Sequence, residues 1–146
     1  MLTIARLDIA DARVILAGAA QHAERIGVPM CTAVVDEAGV LIAFERLDGG
    51  KVSSVGIAVD KAFTAAAARN TTEFYGDESR PGSPGWRIKG TNGGRFSTIG
   101  GGVPVVVDGQ VVGGIGVSSG SAAQDVEVAE AALGHFLREA GITPTA

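Results

Sequence analysis

A lysine set among alanines, with a threonine three residues on, is where chemistry first suggests itself in this chain. The stretch "IAVDKAFTAAAARN" carries Lys61 and Thr64 on a run that is otherwise apolar or small. An ammonium group sits poorly in a dry interior unless it is paired. Two readings of Lys61 follow: it contacts an anionic or polar ligand together with Thr64, or it snorkels to solvent or pairs with Asp60 or another acid. Tyr75 comes next, at the base of "YGDESRPGSPGWRIKGTNGGRF", residues 75–96. Here Arg80, Arg87, Lys89 and Arg95 gather beside the single tryptophan, Trp86. Long connections without regular structure are commonly functional, and an Ω-like lid would let Arg87, Asn92 and Arg95 hold a carboxylate or enolate oxygen. The rival reading is a solvated basic loop stapled by Trp86 and Phe96 to the body or to a neighbouring subunit.

Backbone amides are a third source of chemistry. The segment from Gly94 to Gly120 is laden with glycine and almost bare of reactive side chains. Glycine within a strand marks a bulge or a close backbone approach. At Gly101 and Gly102 the amides of a turn would form a pocket floor that meets ligand oxygens, while a helix pressed on the strip explains the same glycines. The strip matches neither GxxxxGK[ST] nor GxGxxG, so nucleotide binding is not indicated.

Other constellations are weaker. Side chains that could ligate a metal centre are few: His22 sits at the flank of one helical pattern and His135 points away from the apolar stripe of another. Both read as surface histidines. Met30 and Cys31 fall on a strand and read as core, which leaves Tyr75. No HExxH, CxxC or paired-histidine spacing occurs, so no metal site is expected. "GVSSG", with Ser118 at its centre, superficially matches a nucleophile elbow but lacks an activating histidine.

The elements that position these residues come from periodicity and punctuation. Ile9, Ala12, Leu16, Ala19, Ala23 and Ile26 recur at helical spacing, after Asp8 as N-cap and before Gly27 and Pro29, which predicts a helix over 8–26. Two β-rich runs around Glu37-Ala38-Gly39 predict a hairpin, and two more flank Asp108-Gly109, a two-residue turn signal. Between them a helix is predicted over 52–69, with Val55, Val59, Ala62 and Ala66 on one stripe and Ile57, Lys61, Thr64 and Ala68 on another. A helix without a broad polar face is covered on both sides, which predicts a homo-oligomer or a ligand. The last helix, 122–139, takes Ser121 as cap and puts Val126, Ala129, Leu133, Phe136, Leu137 and Ala140 on one face. The order is α+β with an antiparallel sheet.

Composition bounds the rest. At 146 residues the chain reads as a single domain over 1–146. With 46% apolar residues and a net charge of −4, no basic face large enough for nucleic acid or anionic membrane is expected. The single cysteine excludes an internal disulfide and suits a reducing cytoplasm. No export signal is visible and no run approaches a membrane span.

Taken together, "AVVDEAGVLIAFERLDG", "IAVDKAFTAA" and "GGGVPVVVDGQVVGGIGVSSGSAAQDVEVAEAAL" resemble the GlcG/HbpS haem-binding family, which is similar to the C-terminal domain of PduO-type adenosyltransferases. The resemblance spans roughly residues 8–137 and rests on the combination of motifs. It implies a profilin-like fold with a central antiparallel sheet of about five strands, homo-oligomers, and haem binding in some members. The 75–96 segment is longer and more polar than the resemblance implies. Three functions stay open: a binding module for haem or another anionic small molecule, a cofactor-free enzyme on a small carboxylated metabolite with Lys61 or Tyr75 as acid or base, and an oligomeric accessory protein without a ligand.

Overall fold

The computed structural model of the protein describes residues 1–144. Four helices and four strands follow in the order α1 (Ile9–Ile26), β1 (Cys31–Asp36), β2 (Leu41–Arg46), α2 (Ser53–Ala67), α3 (Thr72–Glu78), β3 (Gly102–Val107), β4 (Gln110–Ser118) and α4 (Ala122–Glu139). The strands form one antiparallel sheet in the order β2-β1-β4-β3. It has four strands, where the resemblance implied about five. The α+β class and antiparallel sheet expected from the sequence are present.

Local signals explain the boundaries. Asp8 caps α1 by accepting from the Asp11 amide, and Asp11 returns the bond to the Asp8 amide. Ser121 and Gln124 make the same reciprocal box at α4. In the β3–β4 turn, Asp108 and Gly109 both take positive φ, the twist a two-residue hairpin needs. At the β1–β2 turn the Asp36 carboxylate accepts from the amides of Ala38 and Val40.

Helices cover both faces of the sheet. On one face α1 and α4 pack against Val34, Val103, Val105, Ile115 and Val117. On the other, α2 lies on Cys31, Ala33 and Val35. Its floor is glycine: a Cβ on Gly114 would stand 2.6 Å from the Ala62 carbonyl, and one on Gly116 would run into the Ala58 carbonyl and the Ala62 amide. At the strip's other end, a Cβ on Gly102 would stand 2.5 Å from the Lys61 carbonyl. The helix pressed on the strip is therefore what these glycines accommodate.

Two expected faces shift. In α2 the buried positions are Ser54, Ala58, Lys61, Ala62, Thr64, Ala65 and Ala66, while Ile57 turns outward. The glycine floor draws the small residues inward and leaves the larger Ile57 at the rim. In α4, Val128 and Ala132 join the buried face in place of Val126 and Leu133, which are half-buried, and Ala140, which is exposed. The 75–96 segment is partly regular, since it begins within α3 and contains short 3-10 turns at Ile88–Gly90 and Asn92–Gly94.

A paired substitution tests the glycine floor. Gly116→Ala forces a methyl into α2 backbone and is expected to cost about 3 kcal/mol by overpacking. Gly56→Ala, in the same helix but with nothing within 4 Å of the new Cβ, is expected to gain about 0.5–1 kcal/mol. Urea unfolding reads both, and equal effects of the same sign would refute the close seating.

Candidate functional site

Lys61 leaves α2 toward the end of β4, where its Nζ donates to Asp125 Oδ2 at 2.9 Å and to the Val117 carbonyl at 2.9 Å. The Lys61 side chain is 1% exposed. Asp125, in the first turn of α4, also accepts from the Gly120 amide through Oδ1 at 2.9 Å. Gly101, at φ +126, closes over the pair: a Cβ there would stand 2.9 Å from both the Lys61 nitrogen and the Asp125 Cβ. Of the two sequence readings, this geometry is that of a lysine paired with an acid. Sequence spacing offered Asp60 as a near partner, but Asp125 lies 64 positions away.

Thr64 is equally occupied. Its hydroxyl donates to the Asp60 carbonyl at 2.8 Å and accepts from the Ser97 amide at 2.8 Å. Gly102 donates to the Thr72 hydroxyl at 2.9 Å, so its amide is spent within the fold. The Tyr75 hydroxyl donates to the Ala68 carbonyl at 2.7 Å, its ring sits edge-on to Phe74 and Phe96, and burial pushes the phenol pKa up. As acid or base, Lys61 and Tyr75 would have to break these bonds first.

The arm that follows α3 is laid out differently. Phe96 is buried, whereas Trp86 is 44% exposed and Arg87, Asn92 and Arg95 all face solvent. The Arg95 guanidinium stacks on the Phe63 ring, 3.9 Å from its centroid, and offsets the rise that burial imposes on the Asp60 carboxyl. The structure thus brings Lys61, Thr64, Gly101 and Gly102 together around α2 as packing and hydrogen bonding, with Trp86, Arg87 and Asn92 on an exposed surface.

A different cluster emerges between α1 and α4, where the sequence reading placed surface residues. His22 and His135 both line a cavity of about 270 Å³ in the seam of the two helices. Neither is fully exposed. The His135 ring lies against Gly18, where any Cβ would stand 2.7–2.9 Å from its atoms. His22 Nε2 is, among the described residues, the buried side-chain polar atom left without a hydrogen-bond partner. Glu127 Oε1 stands 3.6 Å away, beyond hydrogen-bond reach. One signal was present in the sequence: Gly18 lies four residues before His22, and Gly134 adjoins His135, so each imidazole has a neighbouring position without a side chain. The thiol of Cys31 offers no alternative, since it is fully buried and burial pushes its pKa up. Among the described residues no helix is long and apolar enough to cross a membrane, and no group of three or more His, Cys, Asp or Glu is placed to hold a metal ion.

This helix-covered antiparallel sheet is the architecture of a known family. The model of the family described as haem-degrading protein HbpS-like matches residues 7–134, and the chain belongs to that family. An uncharacterized 15.0 kDa protein from the dhaT-dhaS intergenic region of Citrobacter freundii is 36% identical over 91% of this chain and 94% of its own length. Among solved structures, Klebsiella pneumoniae protein ORFY superposes with a TM-score of 0.91 at 32% identity, covering 93% of this chain and 94% of that one. The haem complex of PduOC superposes at 0.86 with 29% identity, covering 89% and 94%.

The buried pair yields a double-mutant cycle. Lys61→Met or Asp125→Leu alone strands one buried charge and is expected to cost about 3–5 kcal/mol. Made together, they are expected to cost clearly less than the sum, because the surviving partner is no longer orphaned. Additive losses in urea unfolding would mean that the two groups act independently.

Proposed function

We propose that this chain is a small-molecule-binding protein whose ligand is haem or another anionic molecule. The observation that carries the reading is the likeness to the PduOC haem complex over nearly the whole fold, supported by membership of the HbpS-like family. The side chains left open to hold haem iron fall in one place, a cleft of about 270 Å³ that does not enclose a haem macrocycle as it stands. Apart from the terminal Met1, Met30 and Cys31 are closed within the core, and the Tyr75 oxygen already donates to a carbonyl. That leaves the imidazoles of His22 and His135 as the side chains that would hold the iron. Haem bound there would supply a redox-active centre, and the chain would supply the imidazoles and the helix seam that carries them.

The homo-oligomer expected from the sequence belongs to the same proposal. Val52, Ile57, Phe74, Trp86 and Ile99 are large apolar side chains left exposed, and a second copy would cover some of them. Trp86, Arg87, Asn92 and Arg95 enter as contacts on that exposed surface, available to a ligand or to the second copy.

Haemin titration provides the test. The purified protein is expected to give a saturable Soret band, and the combined substitution of His22→Ala and His135→Ala to abolish it or move its maximum. No saturable band overturns the haem reading, and an unchanged band in the double variant overturns the histidine assignment alone.

A further inference from the structure

The seam between α1 and α4 carries more than two imidazoles. Arg25, in the last turn of α1, and Arg138, in the last turn of α4, line the same cavity with Gln21 and Glu130. Neither guanidinium has a carboxylate within 4.0 Å among the described residues. An arginine fork is a planar pair of donors matched to the two oxygens of a carboxylate or phosphate. The unpartnered His22 nitrogen is a further polar atom turned away from bulk water, and leaving such an atom unpaired is costly. At about 270 Å³ the cavity falls below the volume of sites that take drug-sized ligands. It therefore matches a small anion in size.

We infer that this cleft is a binding site for a small molecule bearing a carboxylate or phosphate group, held at its exposed rim by Arg25 and Arg138, with His22 in the lining beneath them. The inference rests on the reading of this chain as a ligand-binding protein and goes beyond it by naming the chemistry that the cleft takes without haem. Two carboxylates face the site. Glu130 is part of its lining, and Glu127, 54% exposed, stands beside His22. They offset the two arginines in net charge, so directional hydrogen bonds rather than overall attraction select the ligand. His135, fixed against Gly18, forms the other wall.

The test is a titration of the haem-free, full-length protein with inorganic phosphate and, separately, with succinate, at constant ionic strength kept with sodium chloride. Imidazole carbon–proton resonances of His22 and His135 are followed by NMR. A saturable shift of the His22 resonance with at least one probe is expected, and phosphate against succinate identifies which oxyanion the site prefers. The Arg25→Gln and Arg138→Gln double variant, checked for an unchanged amide spectrum outside the cleft, is expected to weaken the response at least about tenfold, the loss of one charge-assisted hydrogen bond. Absence of saturation with both probes, or saturation undiminished in the double variant, overturns the site as an adventitious ion only. Haemin uptake is measured on the same samples. Haem binding without an anion response sinks this inference and leaves the haem reading standing, and an anion response without haem binding does the reverse.

Discussion

The distance between α2 and the sheet governs what the rest of the structure can do. A helix normally rides on the side chains beneath it, but here the side chains at Gly114 and Gly116 are missing and the Ala58 and Ala62 backbone comes down onto the strand itself. Alanines on the helix and glycines on the strand bury little area per residue, so each contributes modestly to the hydrophobic term. What they gain is density, because close-packed backbone makes many dispersion contacts at short range. Seated this low, α2 carries Lys61 to the level of the sheet's end, where its stem reaches Asp125 at the start of the helix on the opposite face. One ion pair thereby ties together the two layers that the sheet separates.

This arrangement separates the packed side of the molecule from the side with room for chemistry. Around α2, each polar group that looked reactive is consumed by the fold: Lys61 by Asp125, Thr64 by Asp60 and Ser97, Gly102 by Thr72, Tyr75 by Ala68. Such saturation is what buried polar groups require. The seam of α1 and α4 is different. Among the described residues it leaves a buried imidazole nitrogen without a hydrogen-bond partner and two guanidinium groups with no carboxylate within 4.0 Å.

Local features of the chain were legible from sequence because their causes are local. Asp8, Ser121 with Gln124, and Asp108-Gly109 each fulfil their role within three residues. Gly114 and Gly116 announced a close approach but not its cause, since a helix and a ligand demand the same absent Cβ. Lys61 announced a buried charge, yet its partner lies 64 positions away, and no rule of spacing reaches that far. The cleft was missed for another reason. Assigning His22 and His135 to solvent follows from the apolar stripes of α1 and α4 taken singly, whereas the seam is made where the flanks of two helices meet. The strand count was implied by family likeness, and the four strands seen are the two hairpins that turn chemistry marks.

The buried pair also bears on why a lysine occupies a position that an apolar residue could fill. A buried ion pair adds little net stability over a well-packed apolar substitute, but it is demanding about position. Asp125 must present one oxygen to Lys61 and the other to the Gly120 amide, which fixes the rotation of the first turn of α4. Successive residues of a helix point about 100° apart. A slip of one position at the start of α4 would turn His135 off Gly18 and carry Glu127 away from His22. The bond between Lys61 and Asp125 on one side of the molecule therefore determines which side chains meet in the cleft on the other, and the glycine floor beneath α2 is what allows that bond to form.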